Sequence, residues 1–188
     1  TPGRGPYGET VARTVGFVLS CAHPSGFMAG EQSSQRYHGP MYGHGFATLF
    51  LAEAYGMTAL EDVGEVLRRA VRLIIDTQNE QGGWRYNPQP EPADISVTVC
   101  QVMALRAARN CGISVPKETI DRSVDYIRRS QNNDGGFQYQ LLGVAKSEFP
   151  RSAAALVALY TAGVHEGDVI DRGLEYMMQF RPSGILRN

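Results

Sequence analysis

The sequence predicts an all-α fold of about seven helices in two layers, built on a repeat of about 50–57 residues. Three observations predict it. Residues 78–86 read Gln-Asn-Glu-Gln-Gly-Gly-Trp-Arg-Tyr, and residues 131–140 read Gln-Asn-Asn-Asp-Gly-Gly-Phe-Gln-Tyr-Gln, so one motif occurs twice at fixed distance. Ahead of each copy, apolar residues recur at helical spacing: Val63, Val66, Leu67, Ala70, Val71 and Ile74 before the first, Ile120, Val124 and Ile127 before the second. Behind each copy lies a stretch that is apolar on nearly all sides, and such a helix is expected to be buried all round.

Taken in order, the pattern runs four times. A first amphipathic helix and its loop, Glu-Thr-Val-Ala-Arg-Thr-Val-Gly-Phe-Val-Leu-Ser-Cys-Ala-His-Pro-Ser-Gly-Phe, precede an apolar helix over 41–56. A second unit pairs 59–79 with 94–111, and a third pairs 117–132 with 150–163. A fourth begins at 167 and runs to 188 as a half-exposed helix with Ile170, Leu174, Met177 and Met178 on one side. The units are therefore about 8–56, 59–111, 117–163 and 167–188, one repeat domain expected to belong to a longer protein. Residues 58–61, Thr-Ala-Leu-Glu, read as a capping box for the second outer helix. Pro116 suits the first turn of the third. The paired glycines are expected to stop their helices, Trp84 and Phe137 to pack on helix ends, and Gln78 and Gln131 to bond loop backbone or exposed carbonyls. Two alternating helix types imply an inner ring of helices inside an outer one.

The bulk numbers exclude several classes. With 188 residues, 43% apolar and 20% charged, the chain can bury one sizeable core. A net charge of −1 leaves no footprint for nucleic acid, and no apolar run is long enough to span a bilayer. Cys21, Cys100 and Cys111 are odd in number and show no metal-ligand spacing, so they read as buried free thiols.

The Gln-x-x-x-Gly-Gly-Trp/Phe units resemble those of the squalene-cyclase and protein-prenyltransferase superfamily, the partial or complete α/α toroids. The likeness is nearest to bacterial "prenyltransferase/squalene oxidase repeat" proteins, through residues 82–112 and 41–58. It implies a partial α/α toroid, and for function an isoprenoid or other apolar ligand. Cyclases of this type place Asp-x-Asp-Asp-Thr at the start of an inner helix, the middle aspartate being the proton donor. The matching stretch here is Asp94-Ile95-Ser96-Val97-Thr98, with serine and valine at the acid positions, and a serine hydroxyl does not protonate an alkene. Prenyltransferases place Asp-x-Cys there with a distant His as zinc ligands. Asp94 and His44 alone do not make such a set, so no metal and no cofactor are expected. Complement-type thioester domains share the toroid and carry Cys-Gly-Glu-Gln. This chain has Ala29-Gly30-Glu31-Gln32, with no sulfur for a thioester. Carbohydrate-active toroids need converging carboxylates, for which Glu91, Asp94 and Glu148 are available.

The repeat puts the starts of the inner helices at one end of the ring. Around that mouth the sequence places Tyr42, His44, Tyr86, Asp94 and Arg151, with Tyr139 nearby. Asp94 and His44 are the candidates for chemistry. Asp94 is read beside that as a helix N-cap, and His44 as a hydrogen-bonded helix-start residue. Three functions stay open: a domain with a degenerate catalytic motif that binds an apolar or protein ligand, an isoprenoid-handling enzyme whose other catalytic groups lie outside this chain, and a carbohydrate-active toroid. Apolar faces at both ends of the arc also suit self-association or contact with further repeats.

Overall fold

In the computed structural model, which describes residues 1–30 and 39–181, seven helices form and no strand does among the described residues. They are α1 (Gly8–Ser20), α2 (Pro40–Thr58), α3 (Glu61–Asp76), α4 (Ile95–Asn110), α5 (Lys117–Arg129), α6 (Phe149–Ala162) and α7 (Asp168–Met178). The central helix α4 lies between α2 and α6, and these three form the inner layer. On the outside α3 covers the groove between α2 and α4, α5 covers the groove between α4 and α6, and α1 and α7 pack at the two ends on α2 and α6. The fold is the partial two-layered toroid that the periodicity predicts.

The outer helices bury one stripe each. On α3 the stripe is Val63, Leu67, Ala70, Val71 and Ile74, and it meets Leu51 and Leu105 in one continuous core. The inner helices are less uniform than their sequences suggest. From Ile95 to Leu105 no residue of α4 is exposed, because it has an inner neighbour on each side. Helices α2 and α6 have one inner neighbour each and leave Phe46, Met57, Val157 and Tyr160 exposed.

The Gly-Gly loops join the layers, and they do so by contact rather than by stopping helices. Helix α3 ends at Asp76 with Thr77 as its cap, and α5 ends at Arg129 with Ser130 as its cap, both well before the glycines. In the loop, Asn79 N–H donates to Gly83 O (3.0 Å) and Gly82 N–H to Asn79 O (3.0 Å); Asn132 and Gly135 repeat both bonds onto Gly136 O and Asn132 O. His23, Gly26 and Phe27 make the same turn in the first unit. Gly26, Gly82 and Gly135 all have φ between 84° and 95°. Each lies flat against a main-chain carbonyl of the next outer helix, that of Arg69, Arg122 and Arg172 respectively. A side chain there meets both a left-handed backbone and a carbonyl well inside van der Waals distance.

Polar clamps fix the same junction. Gln78 Nε2 donates to Gly82 O in its own loop and to Thr119 O on α5, both at 2.9 Å. Gln131 Nε2 does the same with Gly135 O (3.0 Å) and Val169 O (2.9 Å) on α7. In return Arg122 reaches Asn79 O and Arg172 reaches Asn132 O. Trp84 and Phe137 are fully buried, and the Trp84 indole N–H donates to Ile74 O at 2.7 Å.

The capping box expected at 58–61 does not form. Helix α2 runs on through Thr58, whose hydroxyl bonds back to Ala54 O, and the turn is made by Ala59 at φ 52°. Glu61 then opens α3 with Leu60 as N-cap and no side-chain cap. Pro116 stands one place earlier than expected, as the N-cap residue of α5.

Gly82→Ala is expected to cost about 2–5 kcal/mol, from left-handed strain plus the clash with Arg122 O. Gly112→Ala, at φ 92° with open space around it, should cost only the strain, about 1–2 kcal/mol. Urea unfolding of the two variants beside the parent measures the difference; equal losses refute the role given to the Arg122 carbonyl.

Candidate functional site

The heads of inner helices α2 and α4 are each closed by the loop of the following unit. Tyr86 O accepts from Met41 N–H at the head of α2 (3.1 Å), and Tyr139 O accepts from Ile95 N–H at the head of α4 (3.0 Å). These bonds satisfy helix N–H groups that have no partner within their helix, and they bring the side chains of Tyr86 and Tyr139 together beside Tyr42.

Asp94 caps α4. Its Oδ1 accepts from Val97 N–H (2.9 Å) and from the Ser96 hydroxyl (2.6 Å), and the residue is completely buried. Tyr42 Oη lies 2.6 Å from Ser96 Oγ. The single Ser96 proton is committed to Asp94, so Tyr42 donates to Ser96, and the three groups form a directed chain from phenol to carboxylate. The tyrosine rings continue from there. Tyr42 and Tyr86 stand 6.0 Å apart, and the Tyr86 and Tyr139 hydroxyls are hydrogen-bonded to each other. The Arg151 guanidinium lies 5.7 Å from the centre of the Tyr139 ring and 3.6 Å from Glu148 Oε1.

Burial raises the Tyr42 phenol above its ordinary value, and the nearby Asp94 charge adds to this against the bond with Ser96. Tyr139 is raised by burial, by its bond to Tyr86 and by Asp94. Burial and then Asp94 push the Cys100 thiol up to about 11, so it stays protonated. All three cysteines are free. Three buried oxygens, Asp94 Oδ2, Gln101 Oε1 and Tyr126 Oη, have no hydrogen-bond partner among the described residues.

Four of the five residues expected at the mouth, Tyr42, Tyr86, Asp94 and Arg151, belong to this group, with Tyr139. His44 does not. Fully buried, it binds the outer layer: Nδ1 accepts from Met28 N–H (3.2 Å), so Nε2 carries the proton and donates to Ala70 O (3.3 Å). With both nitrogens engaged, and Ser96 where a thiolate would be required, the residues do not fit a prenyltransferase-type zinc.

The position of His44 recurs. Thr98 Oγ1 accepts from Trp84 N–H (3.1 Å) and Ser152 Oγ from Phe137 N–H (2.9 Å), and both residues are fully buried. His44, Thr98 and Ser152 stand 54 residues apart. Sequence reasoning missed this set, because the three share a function and a spacing but no residue type. Of the other carboxylates, Glu91 accepts from the Asn87 and Gln89 amides, and Glu148 pairs with Lys146 and Arg151.

An all-α domain of alternating half-buried and buried helices, with an aspartate capping an inner helix beneath a row of tyrosines, defines a class of two-layered helical repeat domains. The match of residues 65–185 to the squalene-hopene cyclase C-terminal domain shows that this chain belongs to that family. It is also similar to the alpha-2-macroglobulin of Thermotoga maritima, 28% identical over 102 residues that make up 53% of this chain and 6% of that protein. The chain thus spans only a small part of that relative. Of the Ala29-Gly30-Glu31-Gln32 stretch, residues 31 and 32 lie outside the described residues, and Ala29 has no sulfur.

Burial holds the His44 imidazole down to about 4, against the weaker opposing effect of its bond to Ala70. The unfolded chain binds this proton near pH 6.5 and the folded chain only near 4. Stability tied to neutral His44 is therefore whole above about pH 6.5 and is lost as pH falls toward 4. The loss should reach about 3 kcal/mol. Denaturant unfolding at pH 7, 6, 5 and 4.5 checks this, and His44→Gln should remove most of the slope between pH 6.5 and 5.

Proposed function

We propose that this domain binds an apolar ligand of isoprenoid type at the mouth formed by Tyr42, Tyr86, Tyr139 and Arg151, and that it does so without protonating an alkene. The observation that carries the reading is the state of Asp94. It is the one carboxylate left in the acid motif, it is buried, and its Oδ1 is taken by the helix cap and by Ser96. Val97, at the third acid position, is buried in the core. An acid for alkene protonation needs its proton free in a dry pocket facing the double bond. What remains is an aromatic surface suited to an apolar chain, and family membership supports such a ligand.

The directed chain sets the polarity of the ligand's head. Because Tyr42 donates to Ser96, its phenol oxygen has only lone pairs to offer. The partner is then a donor, an alcohol rather than an ether or a ketone.

A second reading rests on one atom. Asp94 Oδ2 is buried and has no hydrogen-bond partner among the described residues, which suits a carboxyl used in catalysis with groups supplied outside this chain.

Calorimetric titration with farnesol, and with its methyl ether as control, tests the first reading. Saturable binding of the alcohol, several-fold tighter than the ether, is expected. Tyr42→Phe should erase that preference, since one such bond contributes about 1 kcal/mol. Failure of both compounds to bind refutes the reading. Incubation with squalene should give no cyclic product; product that disappears in Asp94→Asn establishes the second reading instead. As an N-cap, Asp94→Ala should lose about 0.5–2 kcal/mol in thermal melts and Asp94→Asn much less.

A further inference from the structure

The three crossings from outer to inner layer are not held alike. At the second and third, a glutamine four residues before the left-handed glycine, Gln78 or Gln131, ties the loop to the next outer helix. Arg122 or Arg172 reaches back from that helix to a loop carbonyl. At the first crossing the residue four before Gly26 is Ala22, whose side chain makes no hydrogen bond. Arg69, in the place of Arg122, gives its Nη1 to Glu65 on its own helix (2.7 Å). The first loop therefore leans more heavily on the bond common to all three, here from Met28 N–H to His44 Nδ1 on α2.

Of the three acceptors, only this one titrates in the acid range. Thr98 and Ser152 accept through hydroxyl oxygens, whereas Nδ1 of His44 accepts only while it carries no proton. A protonated ring has N–H at both positions. Nε2–H keeps Ala70 O, but Nδ1–H then faces Met28 N–H across 3.2 Å, and an attraction becomes a conflict between two donors. The ring is completely enclosed, so the closed loop admits no water to solvate the new charge.

The groups packed around His44 offer the imidazolium no compensation. From the loop comes the Phe27 ring, 5.5 Å away between centroids, with His23 against Phe27 in turn. On α3 the neighbour of Ala70 is Arg69, itself a cation, paired with Glu65. Toward α4, Gly45 meets Cys100, a thiol that stays protonated. On α2 itself Tyr42 is bonded to Ser96 and Glu53 is exposed, and on α1 Glu9 and Arg13 are exposed. Both ring bonds go to main chain, and no carboxylate is bonded to His44 among the described residues.

We infer that His44 makes the first crossing an acid-operated latch: taking up a proton frees the loop of residues 22–28 from α2, while the second and third crossings stay closed. Opening returns the ring to water and to the proton affinity of an ordinary imidazole. A fall in pH below about 6.5 therefore favours the open loop, and the gain levels off near 4, where the closed form binds the proton too.

Hydrogen exchange of single amides tests it, at pH 7, 6 and 5, with each rate corrected for the intrinsic rate at that pH. Protection of the Met28 amide should fall about 20-fold between pH 7 and pH 5. At pH 5 its exchange should be unmoved by low urea, because a local opening exposes little surface. The Trp84 and Phe137 amides should stay better protected and exchange faster as urea is added. His44→Asn puts an amide oxygen near the place of Nδ1, an acceptor at every pH, and should hold Met28 protection to within about two-fold over the same range. If that variant does not fold, the two measurements on the parent chain decide. Met28 protection that does not fall with pH, Met28 exchange that matches Trp84 and Phe137 in rate and urea dependence, or a folded His44→Asn variant with the parent's pH dependence each overturns the inference.

Discussion

Three main-chain amides, those of Met28, Trp84 and Phe137, lie in the interior where the chain crosses from the outer layer to the inner one. Water cannot reach them, and no helix or sheet partner is available. Leaving such a group unsatisfied costs about 1–3 kcal/mol. The structure answers with one acceptor per unit, a side chain from the second turn of each inner helix: His44, Thr98 and Ser152. Each bond fixes a loop to the inner helix that follows it, and so sets where the next outer helix starts. The glycines, the glutamine clamps and the burial of the loop aromatics presuppose that this crossing is held.

From there the fold is built by nearest neighbours. A loop touches the inner helix of its own unit, the outer helix of the next, and the head of the inner helix before. Among the described residues, the main helix contacts all lie within a unit or between neighbouring ones. Stability in such an array is close to a sum of unit and junction terms. It also means that the tyrosine row beside Asp94 is assembled from parts contributed by successive units: Tyr42 from one, Ser96, Asp94 and Tyr86 from the next, Tyr139 and Arg151 from the third. A change in junction geometry anywhere along the row moves a tyrosine relative to Asp94.

Much of this was legible in the sequence, for a physical reason. Helix type follows from apolar periodicity, and a repeated motif marks a repeated junction, so the layers, the burial of Trp84 and Phe137 and the hydrogen bonds of Gln78 and Gln131 could be read directly. Asp94 as a helix cap followed from its residue type and place. What escaped was set by context. The sequence offers His44 as a candidate for chemistry and as a hydrogen-bonded helix-start residue; the second holds, but its partners, Met28 and Ala70, are sixteen and twenty-six residues away and local sequence does not name them. The capping box at 58–61 failed because α2 kept its helical bonds two residues longer and put Ala59 in the left-handed region. The paired glycines looked like helix stops. Their lack of a Cβ is needed instead for contact with a carbonyl some forty residues on, which local sequence does not reveal.

Trp84 is the one tryptophan in the chain, and it is almost wholly enclosed, with its indole N–H bonded to Ile74 O. Its surroundings are apolar and its dipole is held by a fixed carbonyl. The chain therefore carries a built-in fluorophore at the crossing of its second unit. Emission from that ring reports the wetting of one junction rather than of the whole arc. Set beside the far-ultraviolet signal of all seven helices, it distinguishes a domain that melts as a block from one that opens at its middle first.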